Sequence, residues 1–232
     1  MNEAVELIET KEKYKYKVES ESLLSLKTKV YLPFKRLLDI FFGIIGIILT
    51  IPFFIIIKIS YLINGDKAPI IFKHKRVGKD GKEFELYKFR TMVPNAEEIL
   101  KKMLKQKKYR NEWEEFHKFD NDPRITKLGN IYRKLSIDEL PQFLNIIKGE
   151  MSLIGPRPLI EEEVKEYKSK KKLLLSVRPG LTGWWACNGR SCTTNKQRKE
   201  LELYYVKNCG ILIDIKCFLL TILKVLKQEG AK

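Results

Sequence analysis

Residues 40–57 constrain the fold more than any other stretch, because these 18 residues form an apolar run without a charged side chain. A run of this length is at the lower limit for a helix that crosses the hydrocarbon core of a bilayer. The alternative is a core helix of a soluble protein, but this run has no polar face. The run therefore predicts a segment that inserts into a membrane.

Whether this segment spans the membrane is a separate question. Pro52 lies inside the run, and Thr50 can satisfy a backbone group that the proline frees. Residues 37–49 would form a helix of about 20 Å, too short for a full hydrocarbon core. Basic residues flank both ends, and the positive-inside rule would place both flanks in the cytoplasm: Lys27, Lys29, Lys35 and Arg36 before, Lys58, Lys67, Lys73, Lys75 and Arg76 after. A helix broken at Pro52 that enters and leaves by the same face fits best; a kinked span is the alternative.

The net charge of +16, from 45 Lys and Arg residues against 29 Asp and Glu residues, indicates polyanionic partners. Nucleic acid, anionic headgroups and phosphorylated substrates are the candidate classes. No recognisable nucleic-acid motif is present, and the apolar run argues against that class. The 4 cysteines have neither Cys-x-x-Cys spacing nor a nearby histidine, so we expect reduced thiols rather than zinc ligands or a disulfide framework. The first thirty residues contain no apolar stretch typical of a signal peptide.

Two adjacent carboxylates, Asp138 and Glu139, stand where an apolar periodicity predicts the start of a helix. Ser136 and Glu139 fit a capping box, whereas Pro141, which is comfortable only in the first turn, favours a cap at or near Asp138. The positive end of a helix favours an ionised carboxylate and attracts phosphate. Helix capping alone is the simpler interpretation of this pair.

Nearby cations favour a chemical role for the carboxylates. Arg124, Arg133 and the segment Pro156-Arg157-Pro158 lie within about twenty-five residues. Two prolines hold the backbone of Arg157 extended, which suits bidentate phosphate binding, although an exposed arginine in a polyproline turn is the alternative. A carboxylate that faces several arginines is what phosphoryl transfer through an aspartyl-phosphate requires.

Residues 70–92 predict a β-hairpin, with a turn signal at residues 79–82. Lys88 and Arg90 are two residues apart, so they would share one face of a strand and suit a diphosphate. A charged edge that discourages aggregation is the alternative. His74 is interpreted as a structural histidine.

Three further segments complete the expected architecture. Residues 96–119 predict one amphipathic helix, and residues 211–226 predict an apolar helix that lies at the membrane interface or packs on the membrane segment. The loop at residues 178–183 contains two glycines that would let backbone approach a ligand. We expect a mostly α, α+β fold: a monotopic membrane protein with a re-entrant broken helix, a β-hairpin and interfacial amphipathic helices.

Five motifs occur in the order found in the bacterial sugar transferases: Lys-Phe-Arg-Thr-Met at 88–92, Asp-Pro-Arg-Ile-Thr at 122–126, Ser-Ile-Asp-Glu-Leu-Pro-Gln at 136–142, Gly-Glu-Met-Ser-Leu-Ile-Gly-Pro-Arg-Pro at 149–158 and Arg-Pro-Gly-Leu-Thr-Gly at 178–183. From about Leu32 to its C-terminus, the chain resembles the minimal form of this family. These proteins are monotopic polyprenyl-phosphate sugar-1-phosphate transferases, that is, phosphoglycosyl transferases.

The resemblance implies that Asp138 attacks the β-phosphate of a UDP-sugar, so that UMP leaves and a covalent sugar-phosphate forms. Polyprenyl (undecaprenyl) phosphate would then accept the sugar-phosphate, with Glu139 taking the acceptor's proton. The family's Mg²⁺ ion would bind at Asp138. Its phosphate-binding cations correspond to Lys88, Arg90, Arg133, Arg157 and Arg178.

The resemblance also implies an organisation into a charged arm at residues 1–31, a re-entrant membrane helix at 32–63 that is kinked at Thr50 and Pro52, and a catalytic domain at 64–232. The expected location is the cytoplasmic face of the inner membrane, where the enzyme would begin assembly of capsule, exopolysaccharide or another glycoconjugate. His74 and Ala186 occupy positions where relatives often have glutamine. A non-catalytic basic scaffold at the membrane surface is the alternative function.

Overall fold

The computed structural model describes residues 22–116, 119, 121–189 and 193–226. The helices are α1 (Leu26–Ile63), α2 (Ala96–Met103), α3 (Lys107–Phe116), α4 (Lys127–Lys134), α5 (Gln142–Lys148), α6 (Glu161–Lys165), α7 (Lys171–Leu174), α8 (Trp184–Cys187), α9 (Asn195–Asn208) and α10 (Ile211–Leu226). The strands are β1 (Ile71–Val77), β2 (Glu83–Phe89), β3 (Ser152–Ile154) and β4 (Gly180–Thr182). The protein is mostly helical with small sheets, as the sequence predicts.

The apolar run forms the centre of α1, a helix of 38 residues. Ser25 caps its start by accepting a hydrogen bond from the backbone N–H of Thr28. In the described part of the chain, α1 is the helix that is long and apolar enough to cross a membrane. It continues through Pro52, and Thr50 donates to the carbonyl of Gly46, four residues back. The structure thus contains a continuous helix across the expected break, and re-entry at Pro52 stays a prediction.

One face of α1 packs against the rest of the protein along nearly its whole length. Its buried residues recur three, four or seven positions apart: Thr28, Lys35, Asp39, Gly43, Gly46, Thr50, Ile57 and Tyr61. Thr28 donates to the carbonyl of Cys209 near one end of the helix, and Tyr61 donates to that of Arg90 near the other. These contacts extend over about 50 Å of helix. The opposite face exposes large apolar side chains such as Leu37 and Ile56.

The predicted hairpin is confirmed as an antiparallel pair of β1 and β2, with Ile71 opposite Phe89 and Val77 opposite Glu83. Its turn contains Asp80 and Gly81, both with positive φ (58° and 77°), the conformation that an Asp-Gly turn adopts readily. Leu86 and Phe84 pack beneath the hairpin on Ile146 and Met151. The hairpin is thereby joined to α5.

The second sheet pairs β3 and β4 in parallel, with Ser152 opposite Gly180 and Ile154 opposite Thr182. The two glycines of the 178–183 loop lie against Gly155: a Cβ atom on Gly183 would lie 1.9 Å from the Gly155 carbonyl oxygen. Both glycines also line the cavity described below, so the expected approach of this loop to a ligand stays a prediction. Its glycines allow two segments of backbone to pack closely.

The long helix expected at residues 96–119 is two helices, α2 and α3, and His117 lies outside the described residues. The last helix, α10, has the predicted bounds and exposes apolar residues that include Leu212, Phe218 and Leu223. Cys187, Cys209 and Cys217 are free and buried, as expected. Cys192 is outside the described residues.

Candidate active site

The two carboxylates lie in a short 3-10 turn, Ile137–Glu139, that precedes α5. Ser136 enters this turn in the left-handed conformation (φ 55°), which is unfavourable for serine and occurs where the surroundings hold it. Asp138 is buried, with 9% of its surface exposed. Neither Ser136 nor Pro141, which occupy the capping positions, forms a side-chain capping hydrogen bond, so the expected capping box is absent.

Cations surround this pair of carboxylates. The Lys88 ammonium lies 2.9 Å from Glu139 Oε1 and 3.9 Å from Asp138 Oδ2. Arg133, whose Nε donates to the Thr91 hydroxyl at 2.9 Å, is close enough to favour ionisation of Asp138. Burial raises the pKa of Asp138 above its ordinary value, Lys88 opposes the rise, Glu139 adds to it and Arg133 opposes it. Asp138 is thus a desolvated carboxylate between two cations.

Asn145 fixes the position of this turn relative to the hairpin. Its side-chain carbonyl accepts from the Tyr87 N–H at 3.0 Å, and its amide donates to the Glu85 carbonyl and to Glu150, each at 2.6 Å. Asn145 is fully buried on α5, so these bonds are shielded from water. They hold β2, which carries Lys88, next to the carboxylates.

The long helix α1 fixes the other side of α5. Arg36 donates to the carbonyls of Ile146 and Ile147 at 2.6 and 2.7 Å, which satisfies the end of α5 and places a cation at its negative pole. At Gly46 the helix has room for the ring of Phe143, because a Cβ atom there would lie 2.3 Å from that ring. The segment that carries the carboxylates is therefore packed directly on α1.

A cavity of 440 Å³ is lined by Glu139, the neighbour of Asp138. Charged residues on its wall include Arg76, Lys88, Glu139, Arg157, Glu202 and Lys224. Apolar residues from the hairpin, α5, the second sheet and α10 form the remainder, among them Leu86, Phe143, Leu153, Leu181, Phe218 and Ile222. A lining that combines cationic and apolar side chains suits a ligand that has both anionic and apolar parts.

Arg157 reaches this cavity as predicted. Its guanidinium lies 5.6 Å from the centre of the Trp185 ring, in position for a cation–π interaction. Its backbone N–H donates to both carboxyl oxygens of Glu202, each at 3.1 Å. Burial raises the pKa of Glu202 to about 7, against the lowering effect of the Arg157 N–H and of the guanidiniums of Arg157 and Arg198.

Two other predicted phosphate ligands do not reach the cavity. Arg90 is buried, and its guanidinium donates to the carbonyls of Pro69 and Met92 and to Asp66. Arg178 donates to the carbonyl of Gly149, behind α5. Both arginines connect backbone segments of the fold. Lys88 and Arg157 line the cavity instead, and Arg133 lies near Asp138 without lining it.

Arg124, which the sequence placed near the carboxylates, forms a fork with Asp122, with distances of 2.8 and 2.6 Å. Its charge is neutralised within its own turn. Asn145 and Glu202, by contrast, hold parts of the site in place, and no motif in the sequence pointed to them. Their only signal in the sequence is a polar residue at a position that the helical periodicity assigns to the interior.

Among the residues that the structure describes, no group of three or more His, Cys, Asp or Glu side chains could hold a metal ion by itself. Mg²⁺ does not need such a group, because it commonly binds through one or two carboxylates together with substrate phosphates and water. Asp138 and Glu139, adjacent at the cavity, supply donors of this kind. The residues present therefore fit Mg²⁺ when a diphosphate is bound.

Comparison with known proteins identifies the class to which this site belongs. The family model for bacterial sugar transferases matches residues 30–228, and the chain belongs to this family. The undecaprenyl-phosphate galactose phosphotransferase of Salmonella typhimurium is 41% identical over 198 residues, which cover 85% of this chain and 41% of the relative.

Two other relatives differ in length and in their named roles. The exopolysaccharide production protein ExoY of Sinorhizobium fredii is 38% identical over 85% of this chain and 87% of its own length. A UDP-N-acetylgalactosamine-undecaprenyl-phosphate N-acetylgalactosaminephosphotransferase of Aeromonas hydrophila is 33% identical, over 89% of this chain and 47% of its own length. The chain spans less than half of the Salmonella and Aeromonas relatives.

Proposed function

We propose that this chain transfers a sugar-1-phosphate from a UDP-sugar to undecaprenyl phosphate and releases UMP. The observation that carries the proposal is a buried carboxylate, Asp138, held beside Lys88 and Glu139, which both line a cavity with cationic and apolar side chains. Donor and acceptor both require this combination, because each contains phosphate and the acceptor also contains a long apolar chain. The names of the Salmonella and Aeromonas relatives support the same reaction.

The reaction proceeds in two displacements at one phosphorus atom. A carboxylate oxygen of Asp138 attacks the β-phosphorus of the donor, the bond to the bridging oxygen breaks, and UMP leaves with that oxygen. The sugar-phosphate is then bound covalently to Asp138. An oxygen of the acceptor phosphate attacks the same phosphorus, Glu139 accepts the proton of the acceptor, and the carboxylate of Asp138 is regenerated. The product is undecaprenyl-diphosphate-sugar.

The neighbouring cations favour this chemistry in two ways. Lys88 and Arg133 lower the pKa of Asp138 and so oppose the effect of its burial, which keeps more of the nucleophile ionised. Lys88 and Arg157 also lie on the cavity wall, where they bind the charge of the donor diphosphate. Mg²⁺, bound by Asp138 and the phosphates, would neutralise part of the diphosphate charge.

The contacts of α1 support a monotopic arrangement. A helix that crosses a bilayer alone has lipid on all sides, whereas one face of α1 contacts the protein body from Thr28 to Tyr61. We therefore propose that α1 enters and leaves by the cytoplasmic face, with a bend at Pro52, and that its outer face and that of α10 contact lipid. The catalytic residues then face the cytoplasm, where nucleotide sugars are available.

The proposed biological step is the first membrane reaction of surface glycan assembly. The names of relatives in exopolysaccharide production support this placement. The partners are a UDP-sugar, undecaprenyl phosphate and membrane lipid, and no nucleic acid is involved.

The test is release of UMP from a panel of UDP-sugars in the presence of undecaprenyl phosphate and Mg²⁺. We expect one donor or a few donors to support turnover, and Asp138→Asn to lower the rate by at least about a thousandfold because the nucleophile is lost. Asp122→Asn, which removes a carboxylate outside the cavity, is the control. No UMP release by the folded, membrane-inserted wild type across the panel would favour a non-catalytic scaffold.

A further inference from the structure

The guanidinium of Arg76 lies in an unusual position, and none of the predicted site roles belongs to it. It lies near the end of β1 and lines the same cavity as Lys88 and Arg157. Its side chain is only 12% exposed, and its Nε atom is buried without a hydrogen-bond partner among the described residues. A buried donor without an acceptor is costly, and such a donor at a cavity wall often awaits a ligand.

The neighbours of Arg76 do not satisfy its charge. Its ion pair with Glu163 is long, at 3.6 Å, and the same carboxylate accepts from Arg198 at 2.9 Å and from the Ile160 N–H. Its other described partner is the imidazole of His74, whose Nδ1 atom accepts a hydrogen bond at 3.1 Å and brings no negative charge. Most of the binding capacity of the Arg76 guanidinium thus remains unused.

Arg76 and Arg157 are also close enough to repel one another. Burial and, to a smaller extent, the charge of Arg157 lower the pKa of Arg76 to about 10, and Glu163 opposes both effects. The nearby carboxylates do not balance the three guanidiniums of Arg76, Arg157 and Arg198. Glu163 is one anion, and Glu202, with a pKa of about 7, is only partly ionised at neutral pH. An anion between Arg76 and Arg157 would relieve this excess.

The hairpin determines which part of a ligand Arg76 can reach. Lys88, beside the carboxylates, lies opposite Phe72 in the register, and Arg76 is four residues further along β1 on the same face. Four residues of strand correspond to about 13 Å. Arg76 therefore lies further along the hairpin from the attacking carboxylate than Lys88 does.

We propose that Arg76 and Arg157 together bind the α-phosphate of the nucleotide, the phosphate that leaves as part of the nucleoside monophosphate. This inference rests on the proposed function and extends it to a residue outside the predicted site. Attack at the β-phosphorus moves negative charge onto the bridging oxygen, which departs on the α-phosphate. Two guanidiniums at that phosphate stabilise the leaving group, while Lys88 lies beside the attacking carboxylate.

The experiment measures binding of UMP and of uridine to the full chain in detergent, without lipid acceptor, by titration calorimetry. The variants are Arg76→Gln, Arg76→Lys and Arg198→Gln. We expect Arg76→Gln to weaken UMP binding by about ten- to a hundredfold while uridine, which has no phosphate, binds as it does to the wild type. Arg76→Lys retains the charge but loses the fork, so its affinity falls in between.

Arg198→Gln is the matched control, because it removes a neighbouring guanidinium of the same cluster that does not line the cavity. If direct contact with the phosphate, rather than long-range charge, causes the loss of affinity in Arg76→Gln, the UMP affinity of Arg198→Gln stays within about threefold of the wild type. Equal UMP affinity of wild type and folded Arg76→Gln would overturn the proposal, and so would an equal loss in Arg198→Gln. Loss of UMP binding in Arg76→Gln, combined with a wild type that transfers no sugar-phosphate, would support the phosphate site and reject the proposed function.

Discussion

Two groups of buried charges in this protein differ in how completely they are neutralised. The anchor cluster, formed by Tyr31, Lys35, Tyr205 and Asp214, joins α1 to α9 and α10. Lys35 forms a buried ion pair with Asp214, and both tyrosine hydroxyls donate to the same carboxylate at 2.8 Å. Each charge of this cluster has a short internal partner.

The cavity cluster, formed by Arg76, Lys88, Asp138 and Arg157, is less completely paired, although Lys88 has one short partner in Glu139 at 2.9 Å. Lys88 lies 3.9 Å from Asp138, and Arg76 lies 3.6 Å from Glu163. The contrast indicates that charges in the anchor cluster stabilise the fold, whereas those in the cavity cluster are arranged for a ligand that brings its own charge. Variants of the two clusters should therefore affect different properties.

The largest effect on stability is expected from Asp214→Asn. The substitution leaves the Lys35 ammonium buried without its counter-ion, which costs about 3–5 kcal/mol. The midpoint of chemical denaturation in detergent measures this loss. The exposed pair of Lys165 and Glu161 is the control, since Glu161→Gln should barely change the midpoint. Equal losses in the two variants would contradict a structural role for the anchor cluster.

Ionisation of Glu202, a residue of the cavity wall, should make the stability of the protein depend on pH. Its pKa is raised from 4.5 to about 7 in the folded protein, so the unfolded chain releases this proton first as pH rises. Its contribution to stability is present below pH 4.5, falls by about 3 kcal/mol as pH rises to about 7, and is constant above that.

Glu202→Gln should remove this slope from the free energy of unfolding measured between pH 4.5 and pH 7. Glu200→Gln changes an exposed carboxylate two residues away on α9, and its pH profile should follow that of the wild type. A Glu202→Gln profile as steep as that of the wild type would assign the slope to other groups.

A smaller effect is expected where α1 meets α5. Gly46→Ala would place a Cβ atom 2.3 Å from the Phe143 ring, and the forced movement should cost about 1–3 kcal/mol. Because Phe143 lines the cavity, the specific activity should fall as well. The double variant Gly46→Ala with Phe143→Leu makes room for the new methyl group. The loss of stability in the double variant should be smaller than the sum of the losses in the two single variants. A loss equal to that sum would argue against contact between these residues.

The mildest test concerns the ionisation of Asp138. Lys88→Met removes the cation that most strongly opposes the effect of burial, so the pKa of Asp138 should rise further. The acidic limb of the kcat/KM profile is then expected at higher pH than in the wild type, with lower activity throughout because a phosphate ligand is also lost. Lys148→Met, a change of an exposed lysine on α5, should not move the limb. An unmoved limb in Lys88→Met would mean that another group controls it.

Patterns of local sequence predicted much of the fold. The Asp-Gly turn identified the hairpin, and apolar periodicity identified α10 with its observed bounds. The end of α2 near Leu104 was missed because the surrounding lysine-rich residues continue a helical pattern without a glycine or proline to stop it. The motifs predicted a site at Asp138, Glu139, Lys88 and Arg157, and the structure places the last three of these on one cavity.

Local patterns could not separate arginines that face the cavity from those that hold backbone together. Arg90 is two residues from Lys88 and was expected on the same face, yet it follows the end of β2 and donates to Pro69 and Met92. Arg178 similarly donates to Gly149. These choices depend on carbonyl groups that approach from distant parts of the chain, which spacing along the sequence does not encode.

The burial of α1 against the body has a consequence for how lipid and folding are connected. Ile57 and Tyr61 belong to the same core as Ile70, Phe89 and Tyr132, and Arg36 satisfies the end of α5. One face of α1, the proposed membrane segment, is therefore part of the folded core, and the helix is more than an attached anchor. The bilayer should act on this chain as a ligand acts on a binding protein: by binding the folded form, it shifts the folding equilibrium towards the arrangement that brings Asp138 and Lys88 together.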